Sequence, residues 1–503
     1  MMFHIPSLEE LNLIGALPAI ALATWAVILL VVDLFIPKDR KQTTAWLALG
    51  GILFAFAANL LVFNNNGDAF SGLYRADAFT GMLNIVILGA AALGVLLSMD
   101  YLKRAGIERG EYYALMLLSV VGMMVMGAAN DLIVVFVALE LLSIPLYVLT
   151  AFRAPELKSE EGGMKYFILG AFSSAFFVYG AALIYGATGT TQLDGVFASI
   201  SAALAGEGQA LALLLLGSGL ILVGLGFKVA VVPFHQWTPD VYEGAPTPLT
   251  AFMSVGSKVA GFAALLRIMV VGLPTLVVNV GDAAAAWQTT VWLIAAATLI
   301  LGNFVALAQT NIKRMLAYSS IAHAGYILMA VAAAGTPEVA NMAVQSALIY
   351  LLAYMFTNIG AFAVALGIEK DDGTGTDLKD FVGLSRSRPL LALMMAVFML
   401  SLTGIPLTGG FIGKFFVFRA TLEAGLVPLA IIGVLTSVVS AFYYIRIVVN
   451  MYLTDGSGDP AAGATSRVNW ATYIAFAGTL LIGVLPVLVT ALSDRVVLSA
   501  LIP

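Results

Sequence analysis

Apolar runs about twenty residues long recur from one end of this chain to the other, with only short loops between them. Water does not solvate such runs, so lipid must be the solvent for most of the chain, and helices are the way to satisfy its backbone there. Of 503 residues, 61% are hydrophobic and 11% are charged. A soluble domain carries roughly 25% charged residues. About fourteen runs are long enough to cross a bilayer. They centre near residues 24, 53, 88, 119, 142, 175, 220, 260, 297, 325, 354, 405, 438 and 481. The expected fold is an all-α polytopic membrane protein with about fourteen transmembrane helices. No loop is long enough for a soluble domain, and a net charge of −5 argues against nucleic acid as a partner.

The chain has no cysteine, which excludes disulfides, thiolate-held zinc and iron–sulfur clusters. Its three histidines, His4, His235 and His323, offer no pair at matched depth for a bis-histidine haem. No cofactor is expected in this chain, and any electron transfer linked to its work belongs to another subunit. The first twelve residues contain Glu9 and Glu10 but no Lys or Arg, so the first run reads as a retained span and not as a cleaved signal. Basic residues gather in alternate loops. One set holds Lys38, Arg40 and Lys41, then Lys103, Arg104 and Arg109, then Arg153, Lys158 and Lys165. Later loops of that set add Lys313 and Arg314, Lys370, Lys379, Arg386 and Arg388, and Arg467. The other set holds little beyond Arg75, Arg419 and Arg495. By the positive-inside rule the basic set faces the cytoplasm. Both termini then lie outside, which requires an even number of spans.

Two spans are interrupted. The first carries Gly224, Gly226, Lys228 and Pro233, and the second carries Thr403-Gly-Ile-Pro-Leu-Thr-Gly-Gly410 with Lys414 four residues on. Proline removes a helical hydrogen bond and clashes with the preceding turn. Backbone freed in this way is tolerated at depth only inside protein or beside a watery cavity. Breaks at matching points of two halves mark repeat-built transporters and their ion sites. Five spans at 111–273 and five at 286–453 each place the broken one fourth. The expected organisation is thus a three-helix segment (1–110), two inverted five-helix repeats with helices 7 and 12 broken, and a final span (454–503).

Ionisable residues inside such spans are costly and mark ion paths by default. From Ala251 to Leu266 every residue but Lys258 is Ala, Val, Leu, Phe, Met, Gly or Ser. Glu140 lies midway along Leu132–Phe152, with Ser143 and Tyr147 three and seven positions on, so one helical stripe is polar. A structural acid tying two spans together is one reading of Glu140; a carboxylate that sets the charge of a neighbouring lysine is the other. Lys228 stands near a helix end, where snorkelling to the interface competes with a role at depth. Lys258 is too central to snorkel. Burial disfavours an ammonium, a nearby carboxylate favours it, and that balance permits proton exchange by lysine where arginine would hold its proton. His323, in Ser319-Ser-Ile-Ala-His-Ala-Gly325, reads either as a hydrogen-bonded core histidine or as a relay between Lys258 and Lys414. Asp240 and Glu243, in a loop rich in Pro and Gly, suit a structural role or an entry vestibule.

The stretch Gly226-Phe-Lys-Val-Ala-Val-Val-Pro-Phe-His-Gln-Trp-Thr-Pro-Asp-Val-Tyr-Glu-Gly-Ala-Pro-Thr-Pro-Leu-Thr-Ala-Phe252 resembles the N subunits of respiratory complex I, the NADH-quinone oxidoreductase. Ser254-Val-Gly-Ser-Lys-Val-Ala-Gly261, Asn311-Ile-Lys-Arg-Met-Leu-Ala-Tyr-Ser-Ser320 and the Thr403–Lys414 break extend the likeness over nearly the whole chain. The resemblance implies an antiporter-like pump subunit of a bacterial inner-membrane complex, whose proton carriers fall on Glu140, Lys228, Lys258 and Lys414. Lysine at 414 argues against the middle pump subunit of that complex. It also implies that NADH, FMN, iron–sulfur clusters and quinone are bound by other subunits, and that the partners are the other membrane-arm subunits and lipid. A subunit of a Mrp-type cation/proton antiporter is the alternative, since that family shares the buried lysines. The His235–Pro248 block favours the first reading.

Overall fold

In a computed structural model the described residues are 11–63, 67–205, 209–274, 276, 285–370, 373–455 and 466–498. His4, Glu9 and Glu10 lie outside them. The chain begins with α1 (Leu17–Asp33), α2 (Gln42–Val62), α3 (Ala78–Arg104), α4 (Glu111–Ala128) and α5 (Leu132–Thr150). Next come α6 (Leu157–Thr188), α7 (Leu193–Ala205), α8 (Gln209–Val229), α9 (Trp237–Gly244) and α10 (Thr247–Arg267). The second half holds α11 (Ala286–Leu307), α12 (Ile312–Ala333), α13 (Ala340–Ile368), α14 (Leu384–Ser387) and α15 (Pro389–Thr403). It closes with α16 (Gly409–Glu423), α17 (Val427–Tyr452), α18 (Ser466–Val484) and α19 (Val487–Ser493).

Among the described residues eleven helices are long and apolar enough to cross a membrane, twelve if the pair bent by 83° near Leu485 is one span. The count falls below fourteen because α1 has 17 residues and the second break shortens α15 to 15. Two elements depart from the sequence expectation. A small antiparallel hairpin pairs Gly67–Ala69 with Tyr74–Ala76, and α7 is an extra short helix before α8.

Local chemistry sets the helix ends. Asp131 caps α5 by accepting from the backbone N–H groups of Ile133 and Val134 at 2.8 and 3.2 Å. Asn311 does the same for α12 through Lys313 and Arg314. These side chains satisfy donors that the first helical turn leaves free. The first break begins at Ala230, with φ +61°, and the second at Gly404, with φ +97°. Glycine is needed at 410, because a Cβ there would lie 1.9 Å from the Ser401 carbonyl oxygen. That contact lets α16 start directly against the end of α15.

Burial divides the helices into shells. The span Thr247–Gly272, which carries Lys258, is 100% buried within the chain, and those of α12 and α13 are 94% buried. By contrast α17 is 33% buried, leaving its apolar side chains for lipid or neighbouring subunits. Arg267, which the sequence leaves unassigned and compatible with the interface, is wholly buried. It donates to Asp77 at 2.9 and 3.1 Å, to Thr80 at 2.9 Å and to the Gly127 carbonyl at 3.1 Å. The charge is matched by a carboxylate that also caps α3 through the Thr80 N–H, as burial of an arginine requires.

Loop contacts define two faces. On one, Lys158 and Lys165 pair with Glu243 and Asp240, Arg314 bridges both acids, and Arg153 lies 3.9 Å from Glu369. On the other, Arg75 of the hairpin pairs with Asp194, and Asp131 bridges to Gln192. The face with Arg153, Lys158, Lys165 and Arg314 is the one that the sequence marks as basic. Single cysteines report this directly, since the chain has none of its own. Cysteine in place of Glu160 and cysteine in place of Ser71, both exposed, are expected to react with an impermeant thiol reagent from opposite sides of the membrane. Labelling of both from one side would contradict the arrangement.

Candidate functional site

Glu140 sits half-buried on α5 and accepts a hydrogen bond from the Ser174 hydroxyl of α6. One turn on, Ser143 donates to the Leu139 carbonyl at 2.5 Å and accepts from the Lys228 ammonium at 2.9 Å. Lys228 donates also to the Tyr166 hydroxyl at 3.2 Å. It is 2% exposed, so it does not snorkel. The carboxylate and the ammonium share neighbours on one stripe of α5 but form no ion pair within 4 Å, because Ser143 takes the lysine. Tyr166 is held in turn by stacking on Trp237, with ring centroids 4.5 Å apart. The Trp237 indole N–H donates to the Phe227 carbonyl at 3.1 Å, which satisfies backbone freed by the first break.

Lys258 lies at the centre of the molecule. Its ammonium donates to the Ser320 carbonyl of α12 at 2.5 Å. His323, one turn further along α12, has both ring nitrogens engaged: Nδ1 with the Tyr350 hydroxyl at 2.5 Å and Nε2 with the Tyr444 hydroxyl at 3.1 Å. It is a hydrogen-bonded core histidine, and both Lys414 and Lys258 lie near enough to act on it electrostatically. Lys414 closes the row from α16. It donates to the Thr403 carbonyl and the Ser437 hydroxyl, both at 2.8 Å, and lies 4.6 Å from the Tyr326 ring centre. Thr403 is the last residue of α15, so the lysine fills a carbonyl that the second break exposes.

The three lysines share a chemical property. Their partners are neutral oxygens of hydroxyls and carbonyls, and no carboxylate lies within salt-bridge distance of any of them among the described residues. A hydroxyl both donates and accepts, so it is satisfied by an ammonium or by an amine. A carbonyl only accepts, and an N–H of an ammonium or of an amine satisfies it equally. Each lysine is therefore able to lose its proton without stranding the groups around it. A cavity adjoins each break. One of about 410 Å³ is lined by Phe172, Phe227, Pro233 and Trp237, and one of about 430 Å³ by Thr403, Lys414, Phe415 and Ser437.

Asp240 and Glu243 do not join this row. They face a polar cavity of about 130 Å³ with Lys158 and Arg314. Burial raises both acids, but hydrogen bonds from Lys165 and Arg314 to Asp240, and from Lys158 and Arg314 to Glu243, outweigh it and hold them below the usual carboxylate range. They stay ionised and fasten α9 to α6 and α12. Sequence reasoning misses Tyr166, Tyr326, Tyr350 and Tyr444, since tyrosine in an apolar run is unremarkable. The spacing of Tyr350 and Tyr354, one helical turn apart, was the available signal. No group of three or more His, Asp or Glu residues among those described is arranged to hold a metal.

Residues 129–440, which include Glu140, Lys228, Lys258, His323 and Lys414, match the family described as NADH:quinone oxidoreductase/Mrp antiporter, TM. The chain is 45% identical over 479 residues to NADH-quinone oxidoreductase subunit N of Chloroflexus aggregans, covering 95% of this chain and 96% of that one. It is 44% identical over 490 residues to the subunit of the same name from Trichlorobacter lovleyi, covering 97% and 98%. A chain of respiratory complex I from Thermus thermophilus with bound aureothin superposes with a TM-score of 0.77 at 36% identity, covering 96% and 99%. A chain of the Mrp complex from Dietzia has a TM-score of 0.79 at 22% identity, which is a likeness of fold. The chain belongs to the family of NADH-quinone oxidoreductase N subunits.

Proposed function

We propose that this chain is a proton-translocating subunit in the membrane arm of a bacterial NADH-quinone oxidoreductase, and that Glu140, Lys228, Lys258, His323 and Lys414 carry the protons. The observation that supports this is the buried row itself, in which lysines with neutral partners alternate with hydroxyls and one imidazole. NADH oxidation and quinone reduction take place in other subunits, and FMN and iron–sulfur clusters reside there. The relatives at 44–45% identity carry the subunit N name over nearly full length. A Mrp-type role has less behind it: the family description that it shares with NADH:quinone oxidoreductase and a likeness of fold.

In this reading the chain crosses the membrane fourteen times, once α1 and the broken pair α15–α16 are counted as spans. The helices of 111–273 and 286–453 pack alike: α4 with α5 and α6 with α8 in one block, α11 with α12 and α13 with α16 in the other. Five spans are an odd number, so the second block enters from the opposite face and the repeat is inverted. Residues 1–110 and 454–503 flank the two blocks. The basic face is cytoplasmic and both termini are periplasmic. Protons enter near the first break, load Lys228 and Lys258, pass His323 and leave from Lys414 on the outer side.

Two measurements test the reading in the assembled complex. Replacing Lys258 with Ala is expected to leave assembly intact and to slow proton pumping on the order of tenfold, with coupled quinone reduction falling in step. Unchanged pumping in proteoliposomes would sink the relay. Glu140 and Lys228 are expected to act as a unit. Glu140→Gln should slow pumping more than Glu140→Asp, which keeps the charge. In a background that already carries Lys228→Ala it should cost little more. Fully additive losses in this cycle would show that the two groups work independently.

A further inference from the structure

Lys258 and His323 do not touch. The lysine reaches the Ser320 backbone carbonyl, one helical turn short of the imidazole, and both imidazole nitrogens are occupied by tyrosine hydroxyls. A backbone carbonyl has no proton to pass on. Transfer between the two therefore needs a group that accepts one proton and releases another.

Three side chains border that gap with unused hydroxyls. Tyr242 of α9, Ser320 of α12 and Tyr354 of α13 are 1%, 0% and 3% exposed, and none of the three hydroxyls has a hydrogen-bond partner in the protein. They belong together: the Ser320 hydroxyl lies close to those of both Tyr242 and Tyr354. Buried hydroxyls are almost always satisfied, by protein or by ordered water. Three that converge from separate helices meet the requirement of a buried water for two to four polar partners. The Tyr354 ring lies 5.0 Å from the imidazole, centre to centre. Tyr354 and His323 also share the lining of a small cavity with Tyr350, Thr357 and Ser401, where about one further water fits.

We propose that the hydroxyls of Tyr242, Ser320 and Tyr354 cradle a water molecule that carries protons between Lys258 and His323. This rests on the relay reading above and supplies its missing link. As the Lys258 N–H bond breaks, an O–H bond forms on the water. A different O–H of that water breaks as its proton passes to the Tyr350 hydroxyl, which gives its own proton to Nδ1 of His323 and is regenerated. The lysine is left as a neutral amine, His323 gains the proton, and the water is regenerated. The three hydroxyls are positioning groups: they orient the water and do not exchange protons with the medium. Tyr242 gives the cradle a further property. It sits on the helix that Asp240 and Glu243 fasten to α6 and α12, so the water site is built partly from the first break.

The test uses the intact complex in proteoliposomes, with Tyr242→Phe and Tyr354→Phe removing one oxygen each. Pumping is expected to slow on the order of tenfold in each. The solvent deuterium isotope effect on turnover should rise as proton transfer becomes the slow step. The double variant should be little worse than either single one, because both hydroxyls hold the same water. Ser320→Thr should keep most activity where Ser320→Ala loses it. Parental rates and an unchanged isotope effect in both phenylalanine variants would overturn the cradle. If Lys258→Ala slows pumping in the same preparations, that failure is the cradle's alone. If Lys258→Ala also pumps normally, the relay fails and takes the cradle with it.

Discussion

An ammonium group at the centre of a membrane is the constraint on which the rest of this structure depends. Lys258 cannot face hydrocarbon, so its helix must be enclosed by protein on every side, and among the described residues α10 is the one span buried along its whole length. That enclosure places α3, α4 and α13 against it and makes α12 supply the carbonyl that receives the ammonium. The outer helices follow from the inner ones. They cover the polar interior and turn apolar side chains to lipid. A charge that would cost several kcal/mol on an isolated helix is thereby held among oxygen atoms.

The two breaks solve a related difficulty. Opening a helix at depth frees carbonyls and N–H groups that hydrocarbon cannot satisfy. At the second break Lys414 and Ser437 both reach the Thr403 carbonyl, and the Gly410 N–H donates to the Ser401 hydroxyl at 3.0 Å. At the first, Trp237 reaches the Phe227 carbonyl, and the Val232 N–H donates to Thr298 of α11 at 3.0 Å. The same atoms that repair the backbone hold a lysine or an aromatic wall in place. The breaks are thus supports for the row as well as openings beside it.

Much of this was legible in the sequence because charge at depth is expensive and therefore conspicuous. Lys258, Lys228, Lys414 and Glu140 stand out against apolar neighbours, and Pro233, Gly404 and Pro406 announce the breaks. Partnerships were not legible. The Lys228–Tyr166 and His323–Tyr444 bonds join residues 62 and 121 positions apart, and nothing in local spacing links them. The sequence made Glu140 the natural neighbour of a lysine, whereas the fold interposes Ser143, whose hydroxyl resembles many others in the chain. Arg267 is left unassigned by the sequence, and only its pairing with Asp77, the cap of α3, explains how it is buried. The hairpin and α7 were missed for the same reason: both are short, and tertiary contacts carry them.

The central claim is that Lys258 works by releasing and regaining a proton, and not by its charge alone. Arginine separates the two, since it keeps the charge and holds its proton. The decisive measurement is the initial rate of proton uptake, per quinone reduced, by the Lys258→Arg complex in sealed liposomes. The account predicts a large loss, comparable with that of alanine, in a complex that still assembles. Parental uptake by the arginine complex would contradict it.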